Sequence, residues 1–406
     1  MTDEKPFPLH IILLALLGWV AIGFPRMLIS PLLPTIEAEF QVSHALAALL
    51  MSSYLLPYAI VQLPAGSLSD RFGNRSFMIL AMLGTSVGSL LLSFTSTFNQ
   101  AIAVRVLSGT LSGFWFTTSS KTVILNTDRA RQGRALGITY SGGAIANIFI
   151  YFVVGASSTA VTGWRPYFAI GSIPGFICLA LVCFLIKDVK ENNGRKEDQE
   201  ATISLTVFLK YLRSRPLAST LTFNFLTSLA GWSLGAFMPT YLVLDRGLLI
   251  TEAASVMIVQ AGSSIFNTFL GGYVTDRFGF KVPVVASVVV MCSLSLLIPI
   301  SPLGMPMWIL LLVWGLIGGW SFVALNLYIL NTVPGGSRGT FLGTNNQVGF
   351  ISATVGPPIF GFIIDIAGFR SFFTLSLALY MASLAPALLI RNERHSIEEH
   401  AHRTSS

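Results

Sequence analysis

One loop, written twice, constrains this chain more than anything else in it. GSLSDRFGNR runs from Gly66 to Arg75 between two long apolar stretches, and GGYVTDRFGFK recurs at Gly271 to Lys281 between two more. Other landmarks keep the register. Gly109 and Gly113 match Gly315 and Gly319, GRALG at Gly133 to Gly137 matches GTFLG at Gly339 to Gly343, and GWRPYF at Gly163 to Phe168 matches GFRSFF at Gly368 to Phe373. A fixed offset of 205 to 206 positions marks an internal repeat with a period of half the chain.

The repeat unit belongs in a membrane. Apolar residues make up 53% of the sequence and charged ones only 11%, with a mean hydropathy of +0.71, more than the surface of a soluble protein accommodates. A bilayer span takes roughly 20 apolar residues. Twelve runs qualify: 9-33, 44-68, 76-96, 99-124, 134-159, 166-187, 217-243, 252-274, 281-300, 306-330, 341-367 and 370-390. The predicted fold class is an all-α membrane protein of twelve transmembrane helices in two pseudo-symmetric six-helix bundles, 1-187 and 217-406. The stretch 188-216, which opens DVKENNGRKEDQEATIS, is predicted to be a cytoplasmic linker. Repeated six-span halves are one way secondary transporters are built.

Lys and Arg set the expected orientation, because positive loops stay cytoplasmic. With the N-terminus inside, Lys5, Arg71, Arg75, Arg129, Arg131, Arg134, the 187-215 cluster, Arg277, Lys281, Arg338, Arg391, Arg394 and Arg403 fall on the cytoplasmic side, and only Arg165, Arg246 and Arg370 fall outside. The net charge of +7 is thereby explained by topology. No continuous basic face or aromatic platform points to nucleic acid. The apolar run after MTDEKPFP is too long for a signal-peptide core and lacks a small-residue cleavage site, so it reads as a retained first span. The expected location is the inner or plasma membrane, multi-pass, with both termini cytoplasmic and the protein a monomer.

Cys178, Cys183 and Cys292 lie inside apolar spans without CxxC spacing, and His395, His400 and His402 sit in a polar tail. No nucleophile elbow, phosphate loop or metal-ligand cluster occurs. The expectation is a protein with no cofactor, no metal and no enzymatic role.

Charges within the spans carry the substrate argument, since ionisable groups there are costly and usually functional. Glu37, Glu39, Asp245, Glu252 and Asp365 lie near the outer ends, and Asp70, Asp128 and Asp276 lie in cytoplasmic loops, so no acidic residue occupies mid-span. Arg26, by contrast, lies roughly 25 Å into span one, and Arg105 reaches a similar depth in span four. Lys121 sits roughly 24 Å below Arg105 on the same helix and is a candidate along the pathway. Buried cations without carboxylates call for an entering anion or retained water. A guanidinium fork matches a pair of carboxylate oxygens, which makes Arg26 and Arg105 the predicted anchors; a structural role for Arg105 is the alternative. Tyr54 with Tyr58, Asn147 with Tyr151, and Asn224 with Ser228 and Trp232 share helix faces. Gln260, Asn267, Trp320, Asn326 and Gln347 are further candidates for the substrate site, with helix-to-helix hydrogen bonding the commoner role for any one of them. Gly109 with Gly113 and Gly231 with Gly235 read as close-packing pairs.

On these residues the chain resembles the Major Facilitator Superfamily over essentially its whole length. The loop after span two follows that family's G-x-L-x-D-R-x-G-x-R at Gly66, Leu68, Asp70, Arg71, Gly73 and Arg75, departing at Asn74, where the family usually has a basic residue. The resemblance implies a conformational gating role for Asp70, Arg71, Gly73 and Arg75, and the repeat extends it to Asp276 and Arg277. It also implies that Asp70 meets a helix N-terminus of the other half, where the dipole favours a carboxylate; a solvated turn anchored by Gly73 is the plainer reading. Arg105 with Gly109 matches the span-four R-x-x-x-G, and RMLISPLLP at Arg26 to Pro34 is similar to span one of the organic-anion branch.

That branch commonly carries an Asp before the span-one arginine and a Glu in span four, where this chain has Pro25 and Ser112. Anion exchange, facilitated diffusion, and symport using a proton on the substrate, Asp365 or a histidine all remain open. Span five has SGGAIAN at Ser141 to Asn147 in place of the antiporter signature, which lowers the standing of a drug/proton antiporter. The resulting expectation is a secondary transporter that moves a small mono- or dicarboxylate by alternating access, partnered by lipid, its anionic substrate and a proton or counter-anion. A multidrug or other hydrophobic-compound exporter is the alternative, allowed by 30 Phe but short of the buried carboxylate a cationic drug would want. A ligand sensor built like a transporter is the third.

Overall fold

The structure, a computed structural model, describes residues 8-128, 131-157, 163-186, 214-333 and 338-390. Most of the expected linker and all of the polar tail therefore lie outside the described residues. In lipid every backbone group must be satisfied within its own segment, which leaves helices as the economical solution. Among the described residues the chain is helical with no strand: α1 (Leu9–Met27), α2 (Ile29–Phe40), α3 (His44–Phe72), α4 (Asn74–Leu92), α5 (Phe98–Ser112), α6 (Phe114–Leu125), α7 (Gln132–Ser157), α8 (Arg165–Leu185), α9 (Arg215–Leu244), α10 (Ile250–Phe278), α11 (Lys281–Ile300), α12 (Met305–Ile317), α13 (Trp320–Thr332) and α14 (Arg338–Leu388).

Local breaks turn these helices into twelve spans. Span one is α1 and α2, interrupted at Leu28, because Pro31 and Pro34 withhold the N–H groups that the carbonyls of Met27 and Ser30 would accept. Span four is α5 and α6, broken at Gly113, and span ten is α12 and α13, broken at Gly318 and Gly319. The element α14 holds spans eleven and twelve, divided at Gly368, whose φ of 72° is left-handed. Turn chemistry sets other starts. The Ser43 hydroxyl accepts from the Leu46 amide, and Thr97 and Gln100 form a reciprocal capping box at the head of α5.

Backbone conformation repeats with the sequence. Among the described residues, all left-handed positions but Gly304 fall in pairs at the repeat offset, Gln41 with Gly247, Gly73 with Gly279, and Gly163 with Gly368. Gln41 is the one non-glycine among them. The breaks at Gly113 and Gly319 fall at corresponding positions too. Two compact units emerge: residues Met1–Asn192, Ser233–Ile258 and Ala353–Phe369 form one, and Asn193–Trp232, Val259–Ser352 and Arg370–Ser406 form the other. In the first, α1 packs on α7 and α8, α4 on α5 and α8, and α3 on α5; in the second, α11 packs on α12 and α13. Large apolar side chains such as Leu63, Phe184, Phe269 and Ile300 remain exposed, as a lipid-facing surface requires.

Candidate functional site

The site is built where α5 closes on α3 and on the break in span one. Arg26 lies in the last turn of α1, where the carbonyl end of a helix favours a cation. Arg105 stands on α5 and is 2% exposed. Its Nε donates to the Leu50 carbonyl at 2.8 Å and its Nη1 to the Pro25 carbonyl at 3.1 Å. The guanidinium lies 4.4 Å from the centre of the Tyr54 ring, a cation–π distance. Arg26 lies 5.8 Å from the Tyr58 ring, and the two tyrosines stack at 5.9 Å and 18°. The sequence spacing of Tyr54 and Tyr58 thus becomes a platform carrying one guanidinium over each ring.

Neither arginine is fully used. Arg26 Nε and Arg105 Nη2 are buried donors that meet no hydrogen-bond partner. Five of the described carboxylates have other work: Glu37 bonds His44, Glu39 bonds Arg165 and Trp164, Asp70 bonds Lys121, Asp365 bonds the start of α3, and Glu252 bonds the Leu249 amide. The two guanidinium groups over stacked rings, with open donors and no bonded carboxylate among the described residues, make this place positive. Arg105 has a double character that the sequence left as alternatives. Two of its nitrogens tie α3 and the span-one break together, and the third, Nη2, is left without a hydrogen-bond partner.

The other candidates divide by unit. In the first, Tyr151 is buried and Asn147 half-buried on α7. Lys121 pairs with the Asp70 carboxylate, from a side chain on α6 to the end of α3. Arg71 lies over Phe72, Arg75 donates to the Cys183 carbonyl at 2.7 Å, and Gly73 makes the left-handed link between α3 and α4. In the second, Arg277 lies over Phe278, echoing Arg71, and donates to the Tyr273 hydroxyl, while Asp276 is exposed.

Asn224 is enclosed in an amide network there, donating to the Asn345 carbonyl and side-chain oxygen at 2.7 and 2.9 Å, while Asn345 donates to Asn326 at 3.1 Å and Ser228 to Asn224 at 2.9 Å. Asn267 donates to the Gly315 carbonyl. Trp320 Nε1 is buried without a partner, and Trp232, Gln260 and Gln347 are half-buried.

Sequence reasoning passed over Asn345, the hub of the amide network. It also passed over Trp115, fully buried, with an unpartnered Nε1 and an indole seated on Gly18. Two buried aromatic or amide side chains inside otherwise apolar spans were the available signal. Among the described residues no group of three or more His, Cys, Asp and Glu could hold a metal ion.

Comparison with known proteins agrees with this architecture. The sequence model described as Major Facilitator Superfamily matches residues 15–357. A cis,cis-muconate transport protein of Acinetobacter baylyi is 23% identical over 95% of this chain and 95% of its own. A class B tetracycline resistance protein of Escherichia coli is 25% identical over 67% of each chain. Among solved structures, a D-xylose-proton symporter superposes with a TM-score of 0.76 at 16% identity, covering 96% of this chain and 99% of that one.

Proposed function

This chain belongs to the Major Facilitator Superfamily of membrane transporters, and from that premise we propose that it moves a small organic anion, a mono- or dicarboxylate, by alternating access. One observation carries the reading: Arg26 and Arg105 each present a buried, unpartnered nitrogen beside a tyrosine platform, with no carboxylate bonded to either among the described residues. An anion supplies the missing acceptors and cancels charge in a low-dielectric setting. Arg26 is the direct anchor. Arg105 adds one donor while its other two nitrogens fix the frame. The full-length likeness to a muconate transport protein supports the same cargo class. The asymmetry of Lys and Arg supports a protein of the inner or plasma membrane with both termini cytoplasmic, and the Asp70–Lys121 pair then stands at the cytoplasmic side as part of the gate.

Thermal unfolding of the purified protein against small carboxylates, sugars and lipophilic cations tests this, because a ligand that binds the folded state raises the melting temperature. Stabilisation by a carboxylate, lost in Arg26→Ala, is the expected result. The second reading, a hydrophobic-compound exporter, is favoured by the likeness to a tetracycline resistance protein. Stabilisation by lipophilic cations alone would establish it and remove the anion reading.

A further inference from the structure

Three titratable side chains, two of them seven residues apart and the third 321 positions on, meet at one junction within the first unit. Glu37 lies in the last turn of α2 and is 8% exposed; its Oε1 lies 2.8 Å from His44 Nδ1. His44 is the first residue of α3. Asp365, three residues before the Gly368 break, accepts from the His44 amide at 2.9 Å and the Ala45 amide at 3.0 Å. A carboxylate at that helix N-terminus is stabilised by unpaired N–H groups and the dipole.

Packing encloses the ring as well. His44 lies 6.2 Å from Phe237 at 88° and 5.8 Å from Phe369 at 59°. A methyl carbon on Gly361 would lie 2.7 Å from the His44 carbonyl, so α14 rests directly on the start of α3. Residues from both repeats therefore join here, 321 positions apart, and the junction has to part whenever α14 leaves α3.

We propose that His44, with Glu37 and Asp365, forms a proton-operated latch: a proton on the cluster holds residues 353–369 against the first turn of α3, and its loss releases them. Imidazole is the side chain that changes charge between about pH 5 and 8. The groups facing it set the sign. From α2 comes the Glu37 carboxylate, and from α14 comes Asp365, both acting on the ring electrostatically. From α9 come Phe237 and, behind Phe369, Tyr241, which takes a hydrogen bond from Arg246; Asp245 lies beside them.

With neutral imidazole, two carboxylates share the junction with no cation between them. With imidazolium, one positive charge sits between two negative ones in an aromatic enclosure. The parted arrangement keeps Glu37 beside His44 but removes Asp365. A proton is therefore held more firmly by the joined arrangement, and by linkage acid favours joining and alkali favours parting. The latch needs no substrate and stands or falls apart from the anion reading.

Spin labels read the junction directly. In a background with Cys178→Ser, Cys183→Ser and Cys292→Ser, labels on Gln41→Cys and Ala367→Cys report the separation of α2 and α14 in lipid nanodiscs, without any ligand, by double electron–electron resonance from about pH 5 to about pH 8. A single short-distance population near pH 5 that yields several-fold to a longer one near pH 8 is expected. His44→Gln and Asp365→Asn should each flatten that response. An unchanged distance distribution across the pH range overturns the proposal, as does a full pH response in either variant. If His44→Gln does not fold, the parent series and Asp365→Asn decide between them.

Discussion

A methyl carbon built on Gly109 would lie 2.2 Å from the Tyr54 carbonyl oxygen. The same relationship is repeated 206 positions on, where a methyl on Gly315 would lie 2.3 Å from the Gln260 carbonyl. In each repeat the fourth span presses glycine against the backbone of the second. In the first, that contact brings Arg105, one turn before Gly109, to the Leu50 carbonyl and the Tyr54 ring. The R-x-x-x-G spacing is thus a packing device that aims an arginine.

Gly109→Ala should therefore be among the most damaging small changes in the chain. The obstacle is a backbone carbonyl that no rotamer change can move, and overpacking a well-filled core costs about 1–3 kcal/mol or more. Gly137→Ala on α7, with nothing within 4 Å, is the matched control; alanine is a better helix former there by up to about 1 kcal/mol. Thermal unfolding of the two purified variants checks this, and equal melting temperatures would remove the close-packing account.

Arg105 and Arg26 should fail in different ways. Arg105→Ala removes the two charge-assisted bonds to the Leu50 and Pro25 carbonyls, a loss on the order of 3–6 kcal/mol. Arg105→Lys cannot reproduce two bonds diverging from a planar fork and should recover only part of it. Unfolding measured without ligand shows the effect, and an Arg105→Ala variant as stable as the parent would mean that the two carbonyl bonds carry no weight.

The Asp70–Lys121 pair is partly exposed, with side chains 54% and 24% accessible. A pair like that contributes about 1 kcal/mol or less to stability. If it serves the gate, its effect belongs in the rate of conformational exchange. Asp70→Asn and Lys121→Gln should each shift the melting temperature little while slowing uptake into proteoliposomes several-fold. The charge-swapped pair Asp70→Lys with Lys121→Asp should restore part of the rate. A swap as slow as either single variant would show that attraction between the two groups is not what matters.

The sequence exposed the membrane class and the repeat, because these rest on local chemistry, apolar run length and recurring landmarks; the breaks at Leu28, Gly113 and Gly318 to Gly319, inside runs read as continuous spans, were not anticipated. Arg26 and Arg105 were visible from local chemistry too, as cations where lipid penalises charge. Partnerships across helices were not. Nothing local joins Arg105 to Pro25, Lys121 to Asp70 or Asn224 to Asn345, since each depends on which faces of separate helices meet. The small-residue spacing alone also misleads about close approach. Gly109 and Gly113 press on the Tyr54 and Tyr58 backbone, while Gly231 has only the Tyr380 hydroxyl at 3.4 Å and Gly235 has open space.

If Arg26 is the anchor proposed above, its buried Nε, which meets no hydrogen-bond partner, costs the protein stability. A charge held away from bulk water without a counter-ion is unfavourable, and sites tuned for function commonly tolerate such a cost. Arg26→Met keeps the length and apolar stem of the side chain while removing the charge. In the absence of substrate this variant should melt at or above the parent temperature, and it should lose all stabilisation by carboxylates. Arg26→Lys should keep the charge but lose the planar pair of donors, leaving weaker stabilisation by the same ligands. The comparison separates the roles cleanly. If Arg26→Met instead melts several degrees lower without ligand, Arg26 serves the fold, and the anion anchor has to be sought on Arg105 alone.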